Sequence, residues 1–267
     1  GVAPDFHFTG SSPGSEILFL HRRLTDGDSF FLSNRQNRGE TIEARFRVTG
    51  KAPELWHADS GKSEPVSYRI EGGETVVPLT LAPDGSVHVV FRQPASGSHR
   101  TVAQPAPVRL AKLDGPWTVR FQAGRGAPEA IEMPELSPLD KSSESGVRHF
   151  SGVASYTRLF QAPRKWKPGQ ALLLDLGETR EVAEVWLNGQ LAGTAWHAPH
   201  RVDIGQAARR GFNQLEIRVA NLWVNRMIGD AQPGAKPISW TGLQAYKADD
   251  RLKPSGLIGP VVLLSAP

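Results

Sequence analysis

The chain contains no cysteine in its 267 residues. Disulfide staples, thiolate zinc sites and cysteine nucleophiles are thereby excluded. The compartment stays open, because many secreted bacterial proteins also lack cysteine. No stretch approaches ~18 uninterrupted apolar residues, so no helical membrane span is expected, and no secretory signal pattern is visible. The chain opens on Gly1 rather than Met, which reads as a processed or recombinant fragment without its targeting signal. Lys and Arg exceed Asp and Glu by 31 to 27. The excess is scattered and forms no basic run, so nucleic acid is not an expected partner. Short catalytic signatures are missing too: there is no G-x-S-x-G elbow, no H-E-x-x-H, no G-x-G-x-x-G and no P-loop.

What is present points to many short strands. Gly (27) and Pro (21) are plentiful, which favours turns over long helices. Ile17 to His21 and Ser29 to Asn34 read as strands joined through Asp26-Gly27-Asp28, a hairpin signal. Ile42, Ala44, Phe46 and Val48 alternate with Glu43, Arg45 and Arg47, the period of a half-buried strand. Further strands follow at 54–57, 66–70, 75–81 and 87–91. Their regular spacing predicts a sandwich. Residues 93–107 read as a Pro/Ser/Ala-rich linker, which divides the chain into domains at 1–105 and 106–267. In the second domain, 119–121, 149–160, 171–176 and 260–264 read as strands, 171–176 as one buried on both faces. Val182 to Leu187, Asn188-Gly189 and Gln190 to Trp196 form the best hairpin signal in the chain. Leu215, Ile217 and Val219 alternate with polar residues. Asp203 is expected to cap one short helical turn. Residues 124–146 read as a loose, partly disordered polar segment and 226–256 as irregular. The fold class expected is all-β, with two β-sandwich domains.

Glycosidase chemistry needs two carboxylates on facing walls. Asp175, Glu178, Glu181, Glu184, Asp203 and Asp230 qualify by residue type, against a plain reading as solvated faces and caps. His197 and His200 flank Pro199 and have no third ligand at a recognisable spacing, so no metal site is expected. The aromatics say more. An exposed Trp beside Asn, Asp or Arg covers the C–H face of a sugar ring while its neighbours bond the hydroxyls. Asn221-Leu222-Trp223-Val224-Asn225-Arg226 and Trp196-His197 with Arg201 have that composition. Trp240 is a further candidate, whereas Trp117 and Trp186 read as core. The carbohydrate-lining set is therefore Trp196, His197, Arg201, Trp223, Asn225, Arg226 and Asp230, with no catalytic residue assigned.

The segment 184–194, Glu-Val-Trp-Leu-Asn-Gly-Gln-Leu-Ala-Gly-Thr, resembles the sugar-binding jelly roll of glycoside hydrolase family 2. So do Arg201-Val202-Asp203-Ile204, the stretch from Gly211-Phe212-Asn213 to Ile217, and Val219-Ala220-Asn221. A wider resemblance is to the C-terminal portion of glycoside hydrolase family 106, the α-L-rhamnosidases. It is carried by Phe19-Leu20-His21-Arg22-Arg23 with Asp26-Gly27-Asp28, by residues 46–56, by residues 221–230, and by Pro254-Ser255-Gly256-Leu257-Ile258-Gly259-Pro260-Val261. The resemblance implies a galactose-binding-like jelly roll as the second domain. It also implies a catalytic barrel elsewhere in a parent chain as partner, calcium as a cofactor held mainly by that barrel, a rhamnose-containing glycan as substrate, and a periplasmic or extracellular bacterial location. The barrel and its acids are missing from this sequence. The expectation is a non-catalytic part that supports the barrel and binds carbohydrate. Two alternatives stand beside it: a stand-alone hydrolase with its site in the jelly-roll loops, and a purely structural domain.

Overall fold

The structure, a computed structural model, describes residues 4–103, 106–243 and 245–266. The chain divides into two compact units, Gly1–Gln104 and Pro105–Pro267. Both are built almost wholly from antiparallel strands. Among the described residues, no helix is long and apolar enough to cross a membrane.

The first unit holds β1 (Phe6–Thr9), β2 (Ile17–Arg23), β3 (Asp28–Asn34), β4 (Glu40–Phe46), β5 (Lys51–Trp56), β6 (Ser63–Pro65), β7 (Tyr68–Glu71), β8 (Glu74–Leu81), β9 (Ser86–Pro94) and β10 (His99–Arg100). They form two sheets, ordered β1-β4-β8-β7-β10 and β2-β3-β9-β5-β6. The inward positions of the alternating strands make the core. Phe30 and Leu32 of β3, Ile42, Ala44 and Phe46 of β4, and Val89 and Phe91 of β9 are all buried. Phe30, Phe46 and Phe91 pack as a triad with ring centres 4.9–6.0 Å apart. The 93–107 stretch is not simply a linker. Strand β9 runs to Pro94, and His99–Arg100 pairs with β7, because a short polar edge strand needs only backbone bonds.

The His-Arg-Arg and Asp-Gly-Asp segments form one knot. His21 lies flat on Phe30 at 4.1 Å. Its Nδ1 sits 3.1 Å from Asp5 and its Nε2 2.9 Å from Asp28. Arg47 also bonds Asp5 and, through that bond chiefly, holds its carboxyl below the usual range.

The second unit holds β11 (Arg109–Lys112), β12 (Trp117–Phe121), β13 (Ala130–Met133), β14 (Val153–Gln161), β15 (Leu172–Asp175), β16 (Glu178–Arg180), β17 (Val182–Leu187), β18 (Gln190–Ala195), β19 (Arg201–Asp203), β20 (Phe212–Ala220), β21 (Gly256–Gly259) and β22 (Val262–Ser265). A six-stranded sheet, β13-β12-β14-β20-β17-β18, shares a core with the four-stranded sheet β11-β22-β15-β19, and β16 pairs with β21. Trp117, Tyr156, Leu172, Leu174, Val185, Leu215 and Ile217 fill that core. Asn188 (φ 52) and Gly189 (φ 82) form the two-residue turn of the β17–β18 hairpin, the positive-φ pair of a type I′ turn. Asp203 accepts the Gly205 amide at 2.9 Å and starts a single turn in which Ala208 bonds back to Ile204.

Four readings need correction. Residues 124–146 are ordered: β13 pairs with β12, and Leu139 and Val147 are buried. Strand β15 alternates rather than being buried on both faces, with Leu173 half-buried. The irregular region beginning near 226 contains α2 (Val224–Asp230), which among the described residues is the longer of two short α-helices, α1 being Ser145–Arg148. Trp186 is not core; it lies half-buried beneath Arg218, whose guanidinium sits 4.5 Å from its ring.

Candidate functional site: the loop end of the second unit

Strand registers gather one set of loops. Phe121 pairs with Ala154, Val153 and Val182 both pair with Ala220, and Ala183 pairs with Ala195. The chain therefore leaves β12, β20 and β18, and enters β14 and β17, at the same end of the six-stranded sheet. The loops around 122–129, 148–152, 196–200 and 221–223 crowd that end.

Trp196 follows the edge strand β18 and is 59% exposed. His197 crosses it edge-on at 4.5 Å. Arg201, at the start of β19, is fixed by Asp175, with Nε 2.7 Å from Oδ2. Asp175 also accepts the Gly177 amide. His200 is half-buried against the Gly177 carbonyl, and burial pushes its imidazole below the ordinary value. Trp196 and His197 thus lie in the loop between β18 and β19, and Arg201 stands at its far end.

Trp223 stands on the β20 side of the same end. It is 46% exposed, with the Arg125 guanidinium 4.8 Å from its ring. Its mount is polar: Asn221 accepts the Gly152 amide at 2.8 Å and donates to the Phe150 carbonyl at 2.9 Å. The Ser151 hydroxyl donates to the Leu222 carbonyl at 2.7 Å.

The remaining expected lining residues point inward. Asn225 is buried and donates to the Lys253 carbonyl at 2.7 Å while accepting the Lys253 amide at 2.8 Å. Arg226 is buried, its Nε 2.9 Å from Asp230 Oδ1, without the alignment of a straight hydrogen bond. Neither can line a surface sugar site, because a seven-residue helix held by tertiary contacts turns its polar side chains into the fold. Asp230 belongs with them: its carboxylate accepts the Ser239 amide at 2.7 Å and the Ser239 hydroxyl.

These inward bonds do something else: they pin an arm. Asp230 holds residue 239, Gln232 donates to the Ala248 carbonyl, and Asn225 holds residue 253. Between the first two pins the arm carries Trp240, 89% exposed, and Leu243, 84% exposed. Sequence reading flagged Trp240 but missed the anchors, which join positions up to 28 residues apart. Burial alone would raise the Asp230 pKa; the Ser239 hydroxyl and amide outweigh it and hold the group below the ordinary 3.8. A depressed carboxylate pKa adds stability above the unfolded value and loses it as pH falls through the folded value. The anchor is therefore expected to hold at neutral pH and release only in acid. The Ser239 amide resonance should titrate with a midpoint below 3.8, and a midpoint above it would contradict the assigned bonds.

Five of the six candidate acids are committed to separate partners rather than paired with one another. Asp175 binds Arg201, Glu178 binds Arg180, Glu184 accepts the Trp186 indole, Asp203 caps its turn and Asp230 pins the arm. Among the described residues no three His, Asp or Glu side chains group as metal ligands. The donor set of those residues therefore does not fit a carboxylate-held calcium.

Residues 1–70 match the model of the alpha-L-rhamnosidase family, glycoside hydrolase family 106, and residues 137–248 match the galactose-binding domain-like model of glycosyl hydrolase family 2. Among solved structures, a rhamnosidase from Novosphingobium sp. PP1Y is similar with a TM-score of 0.91 and 56% identity, over 98% of this chain and 25% of that one. A Formosa agariphila protein with the provisional name beta-glucuronidase is 36% identical over 93% of this chain and 23% of its own length. The chain spans about a quarter of the length of each of these relatives.

Proposed function

From a chain that is rhamnosidase-like over residues 1–70 and galactose-binding-like over 137–248, we propose the accessory, non-catalytic part of a larger α-L-rhamnosidase-type glycoside hydrolase, with a functional division at 105/106. Its role is to support the catalytic barrel of the parent protein and to present the loop end of the second unit to a rhamnose-containing glycan in the periplasm or outside the cell. The observation that carries this reading is the pair of exposed indoles, Trp196 and Trp223, each set beside a cationic or imidazole side chain at one end of the jelly roll. Such a rim can cover the C–H face of a sugar and bond its hydroxyls. The engagement of five of the six candidate acids in structural bonds supports a role without turnover. The exposed Trp240 and Leu243 support a contact with further protein, since an apolar tip gains little from water.

The test mixes the pure chain with an aryl α-L-rhamnoside and follows it by NMR. Saturation transfer to the sugar is expected, weakened in Trp196→Ala and in Trp223→Ala, with the anomeric proton of the substrate unchanged over time. Turnover that disappears on mutating one of the acids would overturn the accessory reading. Transfer that persists undiminished in both Trp variants would move the sugar site elsewhere.

A further inference from the structure

The outer face of the first unit carries two aligned rows of side chains that the loop-end reading leaves unused. Leu20 pairs with Phe31, Phe31 with His88, and His88 with Trp56. One row thus crosses four strands, β2, β3, β9 and β5, with Phe31 and His88 ring centres 5.0 Å apart. Beside it, Arg22 pairs with Ser29, Ser29 with Val90, and Val90 with Glu54. All of these but Glu54 line an open trough of about 520 Å³. Val90, nearly inaccessible at 2%, forms its floor, and Trp56 stands at one end, 38% exposed. Inward-facing neighbours on the same strands, Phe30, Leu32, Val89 and Phe91, already supply the core. The outward aromatics are therefore surplus to the sandwich.

The polar groups are distributed unevenly. Glu54 is engaged by the Trp56 indole N–H at 3.2 Å, and Arg92 is neutralised by Asp26 at 2.7 Å. Arg22 has no ion pair or hydrogen bond among the described residues, and the ring nitrogens of His88 bond nothing there. The trough thus combines an aromatic strip, a free imidazole, a free hydroxyl at Ser29 and one uncommitted guanidinium. A guanidinium fork matches a carboxylate in two parallel hydrogen bonds, while an aromatic strip matches the apolar faces of successive pyranose rings. Two strand spacings of ~4.8 Å put about 10 Å between Phe31 and Trp56, and Leu20 extends the row to roughly 14 Å, room for about three sugar units.

We propose that this trough is a second carbohydrate site, which takes a short linear oligosaccharide bearing a uronic acid, with its rings along Phe31, His88 and Trp56 and a carboxylate at Arg22. It does not rest on the loop end of the second unit, and a Trp223→Ala chain is expected to keep it. The test titrates ¹⁵N-labelled chain with α-1,4-trigalacturonate and follows the Trp56 indole N–H, assigned by its absence in Trp56→Ala. The expected result is a saturable shift of that resonance. Affinity should fall about tenfold in Trp56→Ala, a factor typical of losing one good contact, and fall also in Arg22→Gln. The methyl-esterified trisaccharide should bind wild type no better than the acid binds Arg22→Gln. Amide spectra of both variants report that the fold is intact. No shift at millimolar ligand overturns the proposal, as does full affinity in Trp56→Ala. Loss of the indole signal on raising protein concentration alone also overturns it, because the face would then be covered by another copy.

Discussion

Replacing Asn213 with alanine is expected to destabilise the second unit by about 3–5 kcal/mol, the sum expected when several buried polar groups lose their partner together. Asn213 is fully buried. Its Nδ2 donates to the Arg209 carbonyl at 2.8 Å and to the Gly211 carbonyl at 3.2 Å. Its Oδ1 accepts the Arg209 amide and the Asn188 side-chain amide, both at 2.9 Å. Asn188 in turn donates to the Ala207 carbonyl and accepts the Gln214 amide. The two asparagines thus bind the hairpin turn at 188–189 to the 207–214 segment. Alanine would remove all four Asn213 bonds, including one of the three made by the Asn188 side chain. Aspartate is nearly isosteric, yet it should also fail, since it has no N–H for the two carbonyls. Calorimetry on the 267-residue chain checks this. A melting temperature within a few degrees of wild type for Asn213→Ala would show that water replaces the lost bonds and that the pair is not a structural staple. A double-mutant cycle with Asn188→Ala should give a coupling of about 1 kcal/mol or more, as expected for residues within one network.

The second large effect belongs to Gly27→Ala in the first unit, where about 3 kcal/mol is expected to be lost by overpacking. Gly27 is buried in the β2–β3 connection, where the Leu24 amide bonds its carbonyl at 2.7 Å. A Cβ there would lie 1.9 Å from the Phe91 carbonyl oxygen and 2.9 Å from its carbon. The obstacle is backbone in the centre of a sheet, not a movable side chain. The connection cannot retreat easily, because Asp26 bonds Arg92, Asp28 bonds His21, and Asp28 pairs with Phe91. At roughly 4–8 °C per kcal/mol for a domain of this size, the transition of the first unit should fall by about 15 °C. Gly39→Ala is the control: its Cβ would meet only the Leu81 carbonyl at 3.6 Å, an ordinary contact. Equal melting temperatures for the two variants would mean the hairpin end yields freely.

Both effects fall on segments whose pattern was visible in the sequence, although their physical reason was not. The Asp-Gly-Asp run read as a turn, and its glycine needs no special φ; what it needs is space beneath a strand 64 residues further on, at Phe91. The alternation read at 42–48 and 215–219 was legible because each inward residue meets a core, and Asn188-Gly189 was legible because two positive φ values demand such a pair. Helix Val224–Asp230 was not legible. It spans two turns, has no side-chain cap, and is held by bonds from the Asn225 side chain to the Lys253 carbonyl and from the Arg226 amide to the Ser151 hydroxyl that no local window contains. The same limit applies to the candidate sites. Trp196 and Trp223 could be suspected from their neighbours in sequence, whereas the burial of Asn225 and Arg226 depended on which face of that unseen helix they occupy. The trough of the first unit is a row running across strands, assembled from residues 20, 31, 88 and 56. Only the pairing register brings those positions together.

The clamp on Asn188 also bears on how the chain ages. An Asn-Gly pair is chemically fragile, because the glycine amide nitrogen can attack the asparagine side chain, expel ammonia and leave a cyclic imide that opens to aspartate or isoaspartate. That attack needs the side chain to rotate freely toward its own backbone. Here the Asn188 amide is committed to Ala207, Asn213 and Gln214, so the native turn withholds the reactive geometry. In an unfolded chain the clamp is gone, and damage at this pair would then be hard to undo. The new carboxylate would face the Ala207 carbonyl and the Asn213 oxygen, two acceptors with no proton to offer it. The bonds that fix the hairpin therefore also act as chemical protection, and the durability of this turn is coupled to the fraction of time the second unit spends folded.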